Sequence, residues 1–154
     1  VSGPNVFLGY YKNEEATAGV ITDDGWFRTG DMGIIDKDGY LYIKGRSKCM
    51  ILGPSGQNIY PEELEAVVNN LTYVVDSLVI EDNGGLTALI YPDYHQAELD
   101  GMTGPELEKR IKDNLPAINR EIPNYAQIKK VEFMPEDFER TPKRSIKRYL
   151  YQRN

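Results

Sequence analysis

The chain has 154 residues and a formal net charge of −6, with one cysteine, Cys49, and one histidine, His95. A single cysteine excludes an intramolecular disulfide, and these two residues are too few for a zinc cluster. The acidic balance disfavours nucleic-acid binding, because most of the surface would repel phosphate. No apolar run approaches the ~20 residues that span a bilayer and no signal peptide is recognisable, so we expect a cytoplasmic location.

The first half of the chain predicts a β-hairpin after a stretch, residues 1–24, that shows no clear period. Asp36-Lys37-Asp38-Gly39 is a turn signal between two β-prone runs. Residues 40–43 alternate tyrosine with leucine or isoleucine, which is typical of a half-buried strand. The DKDG sequence is also a feature of calcium loops, but such loops need a longer series of ligands that ends in a glutamate. The pattern therefore favours a hairpin.

From residue 49 onward the order of predicted structures is β-α-β-β-α-β-α. A helix begins at Pro61, and Asn83-Gly84-Gly85 predicts a tight turn between two strands. Pro116 predicts a kink or break in a long helical stretch, and residues 143–152 predict a last short amphipathic helix. This order indicates an α+β fold in which helices flank a central β-sheet.

Four stretches resemble one protein family. They are GWFRTGD (25–31), GYLYIKGRSK (39–48), GPSGQNIYPEELE (53–65) and TPKRSIKR (141–148). Their order and spacing are similar to the C-terminal third of the adenylate-forming, or AMP-binding, enzymes. QNIYPEELE and IPNYAQIKKVEF are most similar to the long-chain fatty acyl-CoA synthetases of that family.

The resemblance implies that the chain is a piece of a longer protein. Residues 1–46 would be the tail of a large N-terminal domain, residues 47–48 a hinge, and residues 49–154 a mobile C-terminal domain. The missing N-terminal domain would be the partner of this piece, which we expect to be inactive by itself.

The family activates a carboxylic acid with ATP, and a thiol, usually coenzyme A, then displaces AMP from the acyl-adenylate. The resemblance thus implies an acyl-CoA synthetase for a long-chain fatty acid, with the ligands of Mg²⁺ in the missing domain and no metal site here. The alternatives are an acyl-AMP ligase, a peptide-synthetase adenylation domain, or a non-catalytic module. In the last case the basic terminus would bind acidic lipid at the membrane periphery.

The resemblance also assigns roles to individual residues. Asp31 matches the aspartate that accepts hydrogen bonds from the ribose hydroxyls, and Arg46 matches an arginine that contacts the nucleotide near the ribose. Lys48 falls at the hinge. A further set matches a loop that packs toward the acyl and thiol site: Gly53, Ser55 and Gly56.

The family motif near the C-terminus contains a catalytic lysine, but Ser145 occupies its position here. The rest of the motif is matched by Thr141, Ile146 and Arg148. The family lysine offsets charge that develops during adenylation, which a serine cannot do. Three interpretations are open: Lys147 or Lys143 supplies the charge, with Lys147 preferred for its place in the motif; the enzyme adenylates slowly or differently; or the site is dead.

Overall fold

A computed structural model describes residues 1–153, so the last residue of the predicted 49–154 domain lies outside it. The chain divides into two compact units, one from Val1 to Lys48 and one that begins at Cys49. The mixture of helices and small sheets confirms the predicted α+β class. Within residues 1–153, no helix is both long enough and apolar enough to cross a membrane.

The first unit contains one helix and one hairpin: α1 (Glu14–Val20), β1 (Asp31–Ile35) and β2 (Leu41–Arg46). The predicted turn is present, because the Gly39 amide donates to the Asp36 carbonyl at 3.1 Å and Gly39 has a φ of +86°. β1 and β2 pair antiparallel, with one irregularity between Met32 and Gly33. The hairpin prediction is therefore confirmed.

Two features of the first unit differ from the sequence predictions. Helix α1 was not expected; the Asn13 side chain caps it by accepting from the Ala16 amide at 3.0 Å. The strand expected to be half-buried is exposed on both faces, with residues 40–43 each between 54% and 68% exposed. Alternation predicts that one face can be buried, but within this unit no second layer covers the two-stranded sheet.

The second unit is built on a three-stranded sheet with β6 at its centre. Its helices and strands are β3 (Ile51–Leu52), β4 (Asn58–Ile59), α2 (Pro61–Asn69), β5 (Val74–Asp82), β6 (Gly85–Pro92), α3 (Tyr94–Leu99), α4 (Gly104–Asp113), α5 (Leu115–Glu121) and β7 (Ile128–Phe133). β6 pairs antiparallel with β5 and parallel with β7. Positive φ values at Asn83 and Gly84 form the predicted tight turn.

The sheet of the second unit buries apolar side chains in two clusters. The larger cluster joins the sheet to α2, α4 and α5, and its fully buried members include Val68, Ile90 and Leu107. The smaller cluster consists of Leu78, Ile80, Leu89 and Phe138, with Ile146 and Tyr151 packed against it. Residues of the C-terminal motif are therefore part of the packing.

The long helical stretch is interrupted as predicted, since α4 ends at Asp113 and Pro116 lies in the first turn of α5. The predicted last helix is wrong. Only Arg148–Leu150 forms a single 3₁₀ turn, and the residues before it form a tight hairpin in which Arg140 pairs with Ile146. Arg144 has a φ of +64°, which no α-helix can contain.

Candidate functional site

The two residues expected to contact the ribose lie in direct contact. Asp31 opens β1 and is the strand partner of Arg46, which ends β2. The Arg46 Nη1 atom lies 3.0 Å from Asp31 Oδ1 and also donates to the Thr29 carbonyl at 3.0 Å. The Arg46 side chain is 62% exposed and the Asp31 side chain is 32% exposed. An exposed ion pair is worth only about 0–1 kcal/mol, so ligand hydroxyls can replace it at small cost.

Lys48, the expected hinge residue, is exposed and occupies a 3₁₀ turn, Ser47–Cys49. Just before it, Ser47 is fixed to the first unit. Its amide and its hydroxyl both donate to the Gly30 carbonyl, at 2.9 and 3.1 Å. Lys48 is the last residue of the first unit and Cys49 the first of the second. The role of Lys48 as a hinge stays a prediction.

The loop from Gly53 to Gly56 is a turn between β3 and β4. The Gly56 amide donates to the Gly53 carbonyl at 2.9 Å, and Gly56 has a φ of +80°, a conformation that glycine adopts without strain. Gly53 is buried, and a Cβ there would lie 3.3 Å from both the Gln57 carbonyl and Ile59. Ser55 lies exposed at the tip. The turn itself thus favours glycine at position 56, and a side chain at position 53 would require its neighbours to shift by a few tenths of an ångström.

One side of this loop borders a cavity of about 330 Å³. Its walls are largely apolar and include Ile51, Ile59 and Leu86, whereas Lys129 and Glu81 supply charge. Cavities of ~300–1,000 Å³ are the usual size for small-molecule sites. The loop predicted to face the acyl and thiol site therefore lies beside a space that can accept an apolar group.

The hairpin at residues 140–146 carries Ser145 on its returning stem. The Thr141 amide donates to the Ser145 carbonyl at 2.8 Å, and the Arg144 amide donates to the Thr141 carbonyl at 2.8 Å. The Ser145 side chain is exposed. A longer side chain at this position would meet no packing obstacle, because the residue lies at the surface.

The basic side chains of residues 140–148 fall into two groups. Three have carboxylate partners: Arg140 with Asp76 and Asp137, both at 2.9 Å; Lys147 with Glu139 at 3.0 Å; and Arg148 with Glu65. The hydrogen bond to Glu139 raises the pKa of Lys147. Lys143 and Arg144 are exposed, and among residues 1–153 neither has an ion-pair partner. The structure thus separates the two candidates for the catalytic charge.

Arg148 forms a mostly buried ion pair with Glu65, a residue that the sequence did not single out. Glu65 is 8% exposed, and its Oε1 atom accepts from the Val79 amide at 2.7 Å. Its Oε2 atom accepts from Arg148 Nη2, and Glu62 Oε1 lies 3.8 Å from the same nitrogen. Burial raises the pKa of Glu65, although Arg148 opposes that shift. The sequence signal for this residue is a carboxylate placed between the buried positions Leu64 and Val68 of α2.

Cys49 belongs to the same cluster. Burial raises the pKa of its thiol, and the Glu62 carboxylate raises it further, while Arg148 lowers it. In the described part of the chain, no group of three or more histidine, cysteine or acidic side chains could hold a metal ion.

Comparison with known proteins gives the class of this α+β unit. The sequence profile described as AMP-binding enzyme C-terminal domain matches residues 49–154. The chain therefore belongs to the AMP-binding enzyme C-terminal domain family, as the four motifs predicted.

The chain is similar to several much longer enzymes. It is 33% identical over 168 residues to the long-chain-fatty-acid–CoA ligase FadD15 of Mycobacterium tuberculosis, a match that covers 96% of this chain and 28% of that protein. It is 49% identical over 80 residues to the probable 4-coumarate–CoA ligase 2 of Dictyostelium discoideum, covering 52% and 14%. The chain thus spans less than a third of these relatives.

A solved structure shows the same fold. The crystal structure of ATP-bound MatB from Rhodopseudomonas palustris superposes with a TM-score of 0.69 at 30% identity, covering 97% of this chain and 28% of that one. Similarity therefore extends through both units of the present chain.

Proposed function

We propose that this chain is the C-terminal portion of an ATP-dependent acyl-CoA synthetase, which converts a carboxylic acid to an acyl-adenylate and then to a coenzyme A thioester. The observation that carries the proposal is the match to a CoA ligase along 96% of the chain. The four motifs lie within that length. The proposal places the large N-terminal domain, and with it the ligands of Mg²⁺, upstream of Val1.

For the adenylation step, the Asp31–Arg46 pair supplies the nucleotide contacts. The Asp31 carboxylate accepts from the ribose hydroxyls, and the Arg46 guanidinium, already held by the Thr29 carbonyl, lies beside it. The substrate carboxylate attacks the α-phosphorus, the bond to pyrophosphate breaks, and the cationic hairpin offsets the negative charge that develops. The ATP-bound state of MatB supports ATP as the nucleotide.

For the thioester step, the second unit turns about Lys48 and brings the Gly53–Gly56 loop to the reacting centre. The thiolate of coenzyme A attacks the acyl carbon and AMP leaves. The exposed position of Lys48 at the boundary of the two compact units supports a pivot there, because a pivot must change φ and ψ without disturbing packing.

We propose a long-chain fatty acid as the substrate, on the strength of the similarity to FadD15. A second candidate is an aromatic acid, which is favoured by the 49% identity to a probable 4-coumarate–CoA ligase over 80 residues. The experiment uses the full-length protein with ATP and a panel of acids that includes palmitate and 4-coumarate. Pyrophosphate exchange measures adenylation, and chromatography of the coenzyme A ester measures the second step.

We expect acid-dependent exchange and thioester formation, with palmitate preferred. Thioester formation on a carrier protein but not on coenzyme A would indicate an acyl-AMP ligase or a peptide-synthetase type instead. Absence of exchange with every acid, together with binding to anionic vesicles, would support the non-catalytic alternative. Asp31→Asn should lower exchange, whereas Asp38→Asn, a matched change in the exposed hairpin turn, should not.

A further inference from the structure

We infer that Glu65 and Arg148 are positioning residues. Together with Arg140 they form a clamp that holds the cationic hairpin, residues 140–146, so that its tip, Lys143 and Arg144, keeps one orientation. The inference rests on the proposed function for what the tip binds, the phosphate of a nucleotide. The holding of the hairpin by these three residues is independent of that function, because it follows from the contacts of the hairpin alone.

The outgoing stem of the hairpin is held by Arg140. Its Nη2 atom lies 2.9 Å from Asp76 Oδ2, at the start of β5, and 2.9 Å from Asp137 Oδ1. Its Nη1 atom donates to the Arg144 carbonyl at 3.3 Å. One guanidinium thus connects the sheet to the tip of the hairpin. The hydrogen bond from Arg140 also lowers the pKa of the Asp137 carboxyl, so this partner stays ionised into more acidic solution than an ordinary aspartate.

The returning stem is held by Arg148 and Ile146. Arg148 reaches the carboxylate of Glu65 on α2, and that carboxylate is itself bound to the Val79 amide of β5. Ile146 packs against the smaller core cluster of the sheet. Since both stems end on the same rigid sheet and helix, the hairpin cannot tilt without breaking a partly buried ion pair.

The tip needs such support. Arg144 holds a left-handed φ of +64°, which is unfavourable for a side chain with a Cβ and persists only where the surroundings impose it. Lys143 and Arg144 are also the cations of the hairpin that no carboxylate neutralises within residues 1–153. The paired cations therefore fix the geometry, and the unpaired cations at the tip are available to an anion.

Hydrogen exchange measures the clamp directly in the 154-residue chain. The reporters are the amides of Thr141 and Lys147, which donate to the Ser145 and Glu139 carbonyls at 2.8 Å. We expect Arg148→Met and Glu65→Gln to lower their protection about tenfold or more while amides of β6 keep theirs. Arg148→Lys should restore only part of it, because an ammonium lacks the planar fork. Arg153→Met removes the same charge outside the hairpin and is the matched control.

A second variant covers the case in which the buried-pair variants unfold. Asp76→Asn loosens the outgoing stem, and its retained Oδ1 atom can still accept from the Ser77 amide. It should lower protection at Thr141 without loss in β6. Unchanged protection at Thr141 and Lys147 in every variant that folds would overturn the clamp.

The positioning role is then read in the full-length protein by pyrophosphate exchange. Clamp variants should lower the maximal exchange rate about tenfold or more, with a smaller change in the KM for ATP, and Arg153→Met should change neither. Variants that lower the amide protection of the hairpin but keep a normal pyrophosphate exchange rate would overturn the positioning role. If the wild type shows no pyrophosphate exchange with any acid, the proposed function fails. Amide hydrogen exchange in the 154-residue chain still tests whether Glu65, Arg148 and Arg140 hold the hairpin.

Discussion

Arg148 donates through Nη2 to the Oε2 atom of Glu65, and so connects the last motif of the chain to helix α2, 83 residues earlier. The side chains are 21% and 10% exposed. Removing one partner of a buried ion pair leaves a desolvated charge, which typically costs ~3–5 kcal/mol, whereas replacing both partners costs far less.

We therefore expect Arg148→Met alone to lower the free energy of unfolding by about 3 kcal/mol. In the double variant with Glu65→Gln the loss should be smaller than the sum of the two single losses, with a coupling of about 1.5–3 kcal/mol. Urea unfolding of the wild type, the two single variants and the double variant gives the double-mutant cycle that measures this coupling. A coupling near zero would mean that the two charges do not act as a pair.

The cysteine beside that pair should react slowly with alkylating agents. Burial and the Glu62 carboxylate raise the pKa of the Cys49 thiol, so less thiolate is present at neutral pH. Glu62→Gln removes the negative charge and should speed the reaction with iodoacetamide at pH 7.5 and shift its pH profile to lower pH. Glu98→Gln, in an exposed part of α3, should leave the rate unchanged. Equal rates in the Glu62 variant and the wild type would contradict the assigned cause.

Acid should weaken the anchoring of the C-terminus. Glu132 accepts from both Nη atoms of Arg153, at 2.8 and 2.6 Å, and contacts Lys130; these cations lower its pKa from 4.5 to about 2. Because the folded-state pKa is the lower one, the stabilisation is full above pH 4.5 and is lost as the pH falls toward 2. Glu132→Gln should cost about 1 kcal/mol at pH 7 and almost nothing near pH 2, since the pair is partly solvated.

Thermal unfolding followed between pH 2 and pH 7 checks this expectation. Glu121→Gln, at the exposed end of α5, is a control of equal charge change. A stability difference between the Glu132 variant and the wild type that grew toward low pH would have the wrong sign.

The catalytic charge of the hairpin can be located by substitution in the full-length protein. The motif alone places Lys147 ahead of Lys143, but its ion pair with Glu139 directs the Lys147 side chain along the stem, whereas Lys143 and Arg144 are exposed at the tip of the hairpin. We now expect the double variant Lys143→Ala/Arg144→Ala to lower acyl-adenylate formation by ~10²–10³ and Lys147→Ala by less than about tenfold. Ser145→Lys should raise the rate.

Pyrophosphate exchange measures these variants, and thioester formation from preformed acyl-adenylate should stay near normal in all of them. The reverse ranking would assign the charge to Lys147. If no truncation has an effect, the hairpin supplies no catalytic charge, and its basic residues are only a solvated surface.

The hinge has its own signature. Proline fixes φ near −65° and removes an amide donor, so Lys48→Pro should trap the full-length protein in one arrangement and reduce the second half-reaction by about tenfold or more relative to the first. Lys37→Pro is the control, because Lys37 occupies the second position of the turn Asp36–Gly39, where proline is tolerated. Equal losses in both half-reactions would remove Lys48 as the pivot.

Local signals sufficed for much of the fold. Asn83 and Gly84 predicted their turn because both residues tolerate a left-handed φ, and Pro116 predicted the break between α4 and α5 because it cannot donate an amide. Helix α1 has only seven residues and no buried side chain, so it offered no apolar period to detect. Local signals thus identified the turn and the helix break, whereas α1 was too short to show a detectable period.

The C-terminal hairpin and its anchor were beyond local signals. The spacing of Ile146 and Leu150 suits a helical face, but long-range pairs hold this segment in another conformation. Glu65 could be recognised only as a charge in an apolar face of α2, because its partner lies far away along the chain. Packing between distant segments decided the structure there, and no window of sequence contains both partners.

The exposure of β2 bears on how this chain behaves at high concentration. Within the described structure its outer edge has no neighbouring strand, and the consecutive side chains of Leu41, Tyr42 and Ile43 are all more than half exposed. The open edge of an apolar strand is a template onto which a second copy can add. Kept apart from a covering domain, the chain will tend to self-associate through this strand, and crowding and salt will promote that association.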